Sequence, residues 1–110
     1  MILQARSAEE RRRRVVSLCE EMVVFMDEIE QPDAKPFYEN AAAELRVASS
    51  AEDIGRLYRC IYQSSNSGAG GLGDQYILHR DGSADVPRTE QYYECLAALL
   101  RATRRLLWRI

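Results

Sequence analysis

The chain has 110 residues, a formal net charge of −2, and 46% hydrophobic and 29% charged residues, which is typical of one globular domain spanning residues 1–110. This composition argues against intrinsic disorder and against a chain that needs a metal or disulfides to fold. The longest apolar runs, Met22–Met26 and Cys95–Leu100, are too short for a signal-peptide core or a membrane span, so we expect a cytoplasmic protein without membrane contact.

The small net charge hides an uneven distribution along the chain. Residues 18–53 hold ten acidic side chains against two basic ones, a balance of −8, whereas residues 1–14 hold five arginines against two glutamates, a balance of +3. A local charge of −8 attracts a basic protein partner and repels nucleic acid. Arg11–Arg14 are consecutive and point to all sides of a helix, so they do not form a nucleic-acid-binding face. We therefore expect a protein partner and no nucleic acid, and a homo-oligomer is compatible with the sequence.

Apolar residues spaced three and four apart predict four helices, near residues 8–31, 36–48, 51–63 and 89–109. Each helix has a start signal, namely Ser7 with Glu10, Pro36, Ser49 with Glu52, and Thr89. Two long and two shorter helices with short connections predict an all-α, four-helix bundle-like domain.

The first helix carries an acidic face opposite its apolar stripe. Glu20, Glu21, Asp27 and Glu28 share this face, and Val24 lies at its centre. Asp27 and Glu28 fall in the last turn, where the helix dipole disfavours negative charge by about 0.3–1 kcal/mol each, so helix stability does not explain them. An apolar residue ringed by carboxylates is typical of a protein interface. The five residues are thus our predicted partner-binding site. The alternative is a solvated acidic surface on which arginines of the last helix relieve the repulsion between the carboxylates.

A glycine-rich insert, SSNSGAGGLGD at Ser64–Asp74, separates the third helix from the fourth and holds four of the six glycines. The turn-rich residues after it predict irregular structure with at most a short hairpin, and we expect the insert to lie outside the core. Its glycines spell GxGxxG, but a dinucleotide site needs a strand before that motif and a helix after it, so we expect no nucleotide cofactor. A loop site remains the alternative interpretation, formed by Gly70, Gly71, Asp74, Tyr76 and His79.

Catalytic and metal-binding patterns are weak in this chain. His79 is the only histidine, and although a His–Asp pair with Asp74, Asp81 or Asp85 would support acid–base chemistry, no nucleophile or metal-ligand spacing accompanies it. We therefore predict no catalytic residue, no metal and no cofactor. The cysteines lie one in each of three predicted helices without a CxxC pair, which predicts reduced, buried thiols at Cys19, Cys60 and Cys95.

The segment GGLGDQYI at 70–77, which follows a helix ending in Ile61 and Tyr62, resembles a family of small uncharacterised bacterial proteins with a GGxG element. The resemblance implies a small helical accessory protein, and some family members look like immunity proteins of bacterial toxin systems. With the acidic face, it favours a non-enzymatic immunity or antitoxin-like protein that binds a basic toxin domain. The alternatives are a small-ligand-binding or enzymatic helical domain that uses the insert, and an oligomeric regulatory or scaffold protein.

Overall fold

Four helices make up the framework of the domain: α1 Ile2–Glu28, α2 Lys35–Val47, α3 Ala51–Ser65 and α4 Val86–Thr103. The computed structural model describes residues 2–66 and 71–104 of the chain. Within those ranges the only other regular structure is a 3₁₀ turn at Leu72–Asp74 and one antiparallel bridge, from Leu78 to Ala84. The predicted all-α, bundle-like class with an irregular insert before the last helix is confirmed.

The first helix lies antiparallel to both α2 and α4, and it contacts both of them. Arg12, near the start of α1, reaches the last turn of α2. At the other end of α1, Asp27 pairs with Lys35 at the start of α2, and Glu28 pairs with Arg88 at the start of α4. All seven residues of the predicted apolar stripe of α1 are buried here: Val15, Leu18, Cys19, Met22, Phe25, Met26 and Ile29.

The first helix begins six residues earlier than predicted, whereas the third helix begins at Ala51 as predicted but with a different cap residue. α1 begins at Ile2, so Ser7 lies inside the helix rather than at its cap, because the preceding Leu-Gln-Ala-Arg stretch consists of strong helix formers. The N-cap of α3 is Ser50, whose hydroxyl accepts from the N–H of Asp53 at 3.0 Å. Ser49 and Ser50 both offer a capping hydroxyl, and the sequence pattern alone does not separate them. The predicted first-turn position of Pro36 in α2 is confirmed.

The last helix begins earlier than predicted and ends at Thr103, while residues 105–109 of the predicted helix lie outside the described residues. Asp85 is its N-cap and accepts from the N–H of Arg88 at 3.2 Å, so Thr89 lies in the first turn instead of capping it. Arg104 is the C-cap, with an extended backbone at φ −67° and ψ 143°. The first helix ends before its predicted limit, because Glu30 adopts φ 59° and turns the chain ahead of Pro32.

Three side chains of α4 hold residues 72–77 against the domain; we call residues 64–85, the glycine-rich insert together with the turn-rich residues that follow it, the insert region. Tyr92 donates from its hydroxyl to the carbonyl of Leu72 at 2.7 Å, and Tyr93 donates to the carbonyl of Gln75 at 2.6 Å. One turn earlier, the Thr89 hydroxyl accepts from the N–H of Ile77 at 2.9 Å. Leu72 packs against the core, and Ile77 joins it with 4% of its surface exposed; the expectation that the insert lies outside the core is therefore wrong for Leu72.

Two of the four consecutive arginines in the first half of α1 bind the C-terminal ends of two other helices. Arg11 donates from Nε to the carbonyl of Ala102 in α4 at 2.8 Å, and its guanidinium lies 4.4 Å from the ring centroid of Tyr58. Arg12 donates from Nη1 to three carbonyls at the end of α2, at 3.1–3.3 Å, those of Leu45, Arg46 and Ala48. Because the last carbonyls of a helix have no partner inside it, these contacts satisfy groups that would otherwise need water.

We expect Arg12→Ala to lower the free energy of unfolding by about 1–3 kcal/mol, because several charged hydrogen bonds to α2 are lost together. Arg13→Ala is the matched control: its side chain is 74% exposed and meets only Glu9, at 3.4 Å, so the expected loss is below about 0.5 kcal/mol. Urea unfolding followed by circular dichroism measures both variants. Equal losses would show that Arg12 does not hold the end of α2.

The structure corrects the prediction for one of the three thiols. Cys60 is exposed, because it lies to the side of the α3 stripe formed by Leu57 and Ile61, whereas Cys19 and Cys95 are 0% and 4% exposed. Burial raises the pKa of both buried thiols to about 12.

In the folded protein we expect a thiol reagent to label Cys60 quickly and Cys19 and Cys95 slowly, because only a thiolate reacts and the buried pair stays protonated near neutral pH. Mass spectrometry of digested protein locates the label, and denaturant should make all three sites react at similar rates. Rapid native labelling of Cys19 would mean that this face of α1 does not point into the core.

Candidate protein-binding site

The five residues predicted to bind a partner lie on the outer face of α1, between α2 on one side and α4 on the other. Val24 is at the centre with 51% of its surface exposed. Glu20 and Asp27 lie on the side of α2 and form ion pairs with Arg46 and Lys35. Glu21 and Glu28 lie on the side of α4, where Glu21 lines a shallow groove and Glu28 forms an ion pair with Arg88. The structure thus brings the predicted set together on one surface.

Three of the four carboxylates are engaged by basic side chains from neighbouring helices. Glu20 pairs with Arg46 of α2, and Asp27 accepts from Lys35 at 3.0 Å, which raises the pKa of that lysine. Glu28 accepts three hydrogen bonds from the guanidinium of Arg88, at 2.6, 2.9 and 3.2 Å, and this pairing raises the arginine pKa. Glu21 is exposed and forms no ion pair with any residue that the structure describes. The alternative of internal charge relief is therefore realised in part, with α2 contributing more of it than the last helix.

The antiparallel packing also explains why acidic residues occupy the last turn of α1. Asp27 and Glu28 oppose the dipole of their own helix, but they lie beside the N-terminal ends of α2 and α4, where negative charge is favoured. The helical wheel of α1 does not predict Lys35 and Arg88 as their partners, since a wheel of one helix holds no information about neighbouring helices. The spacing of Glu28 and Arg88, 60 residues apart, gave no local signal.

One end of the bundle is strongly acidic because of this topology. The end of α1, the start of α2, the insert region and the start of α4 all meet there, as shown by the cleft that Gln31, Phe37 and Leu72 line together. Residues 27–39 and 71–90 hold nine carboxylates against three basic side chains, a net charge of −6. The opposite end carries the arginines of α1. The acidic segment seen in the sequence is thus reinforced by residues far away along the chain.

The alternative loop site is spread along the insert region. Gly70 lies outside the described residues, Asp74 ends the 3₁₀ turn, and Tyr76 is 59% exposed. His79 is also exposed, and its Nδ1 lies 3.8 Å from Oδ2 of Asp85, the residue that caps α4. A histidine beside a capping carboxylate has a structural role available to it, and no described nucleophile accompanies the pair.

A cleft of about 370 Å³ lies between the α1–α2 turn, the start of α2, the end of α3 and the insert region. Among the loop-site residues that the structure describes, only Gly71 lines it. The described lining contains no carboxylate, histidine or basic side chain, and the hydroxyl of Tyr38 is shared with Ser65 at 2.7 Å. The cleft therefore offers amide and aromatic contacts but no acid–base pair.

Comparisons of the chain with protein-family models, with curated proteins and with solved structures gave no match. The resemblance of the GGxG segment to small bacterial proteins stays a prediction. Within residues 2–66 and 71–104, no three side chains of His, Cys, Asp or Glu are grouped so that they would hold a metal ion. None of the helices described is both long and apolar enough to cross a membrane.

The Glu28–Arg88 pair should couple α1 to α4 measurably. Both side chains are about one-third exposed, at 32% each, so we expect a coupling free energy of about 1 kcal/mol in a double-mutant cycle with Glu28→Gln and Arg88→Met. The cycle separates the ion pair from the stacking of Arg88 on the Phe25 ring, 4.3 Å away, which both Arg88 variants lose. The exposed Glu9–Arg13 pair is the control, and coupling no larger than in that pair would contradict the expectation.

Proposed function

We propose that this protein acts by binding a basic protein partner through the acidic face of α1, and that the partner is a bacterial toxin domain which it inhibits as an immunity or antitoxin-like protein. The observation that carries the proposal is Val24, an apolar side chain left 51% exposed on the outer face of a central helix and ringed by carboxylates. Such a residue costs free energy in contact with water and gains it under a partner.

The paired carboxylates support the proposal because their positions are already fixed. Asp27 and Glu28 are each held by a basic side chain from another helix, so a partner meets acceptor oxygens that lose little further rotational freedom on binding. A carboxylate has more lone pairs than one ion pair uses, so each can accept again from an incoming arginine or lysine. Glu21, which has no described ion-pair partner, offers an unneutralised charge beside Val24.

The acidic end of the bundle supports a basic partner in particular. A net charge of −6 over residues 27–39 and 71–90 accelerates encounter with a positively charged surface. Toxin domains that cut nucleic acid carry such a surface because they must hold phosphates. The proposal places the inhibitor in the cytoplasm with its toxin, and it requires occlusion of the toxin surface rather than any catalytic step.

Val24→Asp should weaken binding at least about tenfold, mainly by faster dissociation, because it buries an unpaired charge at the centre of the interface. Val47→Asp is the matched control. Val47 is also an exposed valine on a helix, with 80% exposure, but it is the last residue of α2 and not part of the face of α1. Proteins from the host that bind the wild type are purified, and their binding to the wild type, the control and Val24→Asp is measured by surface plasmon resonance. Glu21→Lys should slow association and flatten its salt dependence.

A growth assay then tests inhibition itself. The captured protein should be toxic when expressed alone, and co-expression of the wild type or of Val47→Asp should restore growth, whereas Val24→Asp should not. A captured partner that is harmless, or growth rescue by every variant, would contradict the toxin part of the proposal. Wild-type binding by Val24→Asp and Glu21→Lys would contradict the placement of the site on α1.

A further inference from the structure

A second exposed apolar surface lies on the short hairpin before α4, and nothing in the proposed function uses it. Six large apolar side chains are exposed in the described part of the chain, and four of them belong to this region. We call these four the hairpin patch: Tyr76, Leu78, Val86 and Tyr93, with exposures of 59%, 48%, 56% and 37%. Their concentration here sets this surface apart from an ordinary scatter of exposed apolar residues.

The bridge geometry places Tyr76 and Leu78 of the hairpin patch on one side. Leu78 faces Ala84, and the flanking hydrogen bonds run from Asp85 N–H to the Ile77 carbonyl and from His79 N–H to the Ser83 carbonyl, both at 2.8 Å. Leu78 and Ala84 therefore form a non-hydrogen-bonded pair, whose side chains lie close together on one face.

Side chains two positions apart along a strand share a face. Tyr76 consequently lies beside Leu78, while Val86, also exposed, is the first residue of α4 and follows the bridge residue Ala84 by two positions. Ile77 points the other way and is 4% exposed, because it belongs to the core. The alternation of exposed and buried residues at 76, 77 and 78 is thus a product of the fold and not of chance exposure.

The fourth residue extends the hairpin patch onto α4. Val86 and Tyr93 are seven residues apart, two helical turns, and so lie on the same flank of the helix. Tyr93 is held in place by its hydrogen bond to the Gln75 carbonyl at 2.6 Å and by packing against the ring of Tyr92, with centroids 5.4 Å apart. A fixed aromatic side chain at the edge of an apolar surface loses little entropy on binding, which is why tyrosines are frequent anchors at interfaces.

The hairpin patch is separate from the acidic face of α1. Arg88 reaches Glu28 of α1, whereas Val86, two residues earlier, is rotated about 200° from it around the axis of α4. The two surfaces therefore lie on opposite flanks of this helix, so a substitution on one does not alter the other directly.

Charges around the hairpin patch select the kind of partner. Residues 71–90 contain four acidic side chains, Asp74, Asp81, Asp85 and Glu90, and two arginines, Arg80 and Arg88, a net charge of −2. Glu90 is exposed, lies between Val86 and Tyr93 on the flank of α4, and forms no ion pair with any described residue. A second copy of the chain meeting through the same surface would bring like charges together.

We propose that the hairpin patch is a docking surface for a protein segment in which apolar side chains are flanked by lysine or arginine. Tyr76 and Leu78 supply the apolar anchor, and Glu90 with the neighbouring carboxylates supplies the charge complement. The proposal is independent of toxin inhibition, because it concerns a different face of the protein and stands whether or not α1 binds a toxin.

A random-peptide phage library is the probe that tests this surface. Selection on the wild-type protein, with counter-selection on the Tyr76→Ser, Leu78→Ser double variant, should enrich peptides with two or three apolar residues next to lysine or arginine. Circular dichroism and thermal unfolding of the double variant confirm that the fold is kept. No enrichment, or enrichment of acidic or uncharged peptides, overturns the proposal.

A fluorescent version of the enriched peptide then measures affinity. We expect Tyr76→Ser to weaken binding at least about tenfold, since buried tyrosines dominate such interfaces. Glu90→Lys should weaken it about threefold and reduce its salt dependence. Val24→Asp and Val47→Ser should bind the peptide like the wild type, so the result is distinguishable from the outcome at α1.

Sedimentation velocity decides between this occupant and a second copy of the chain. The wild-type protein should sediment as the same species over a wide concentration range, with or without the Tyr76→Ser substitution. Concentration-dependent dimerisation that Tyr76→Ser abolishes would overturn the proposal in favour of self-association. Loss of peptide binding in Val24→Asp would also overturn it, because the peptide would then bind to the face of α1.

Discussion

The antiparallel contact of α1 with both α2 and α4 is the constraint on which the rest of the structure depends. The end of α1 carries carboxylates that oppose its own dipole and lie beside the N-terminal ends of α2 and α4, while Arg11 and Arg12, about three turns into α1, bind carbonyls at the C-terminal ends of α4 and α2. The same arrangement buries the apolar stripe between three helices. Charges that look misplaced in one helix are therefore consistent with the bundle as a whole, and they also produce its acidic end.

The periodic pattern predicted what depends on one element at a time. The apolar stripe of α1 and the start of α2 at Pro36 follow from local spacing and local chemistry, and the structure agrees. The cap residues of α3 and α4 were misplaced by one to four positions, because adjacent polar residues such as Ser49 and Ser50 satisfy the same motif. Thr89 was predicted as a cap and is not one because of a tertiary contact: its hydroxyl accepts from the N–H of Ile77, twelve residues away, instead of capping its own helix.

The candidate site, too, was predicted where it depends on one helix and not where it depends on contacts between helices. The wheel of α1 placed Val24 correctly in the open, with carboxylates around it, since the exposed face of a helix is the complement of its buried stripe. It did not reveal that Arg88 and Lys35 would engage two of those carboxylates, because both come from other helices. Of the hairpin patch, only Tyr76 was predicted as a site residue. The exposed face of Tyr76 and Leu78 depends on the single Leu78–Ala84 bridge, and so short an extended segment shows no recognisable alternation in a sequence.

The contacts of Arg12 and Asp27 with the two ends of α2 fix the length of α1 between them. Arg12 and Asp27 are held apart by about 22 Å, since an α-helix rises 1.5 Å per residue, and both contact the same partner helix α2. A residue inserted between them would lengthen this spacing and rotate one end by about 100°, which would misalign both ends at once. The length of α1 between these contacts is therefore fixed by the length of its neighbour α2, whichever side chains occupy the exposed positions in between.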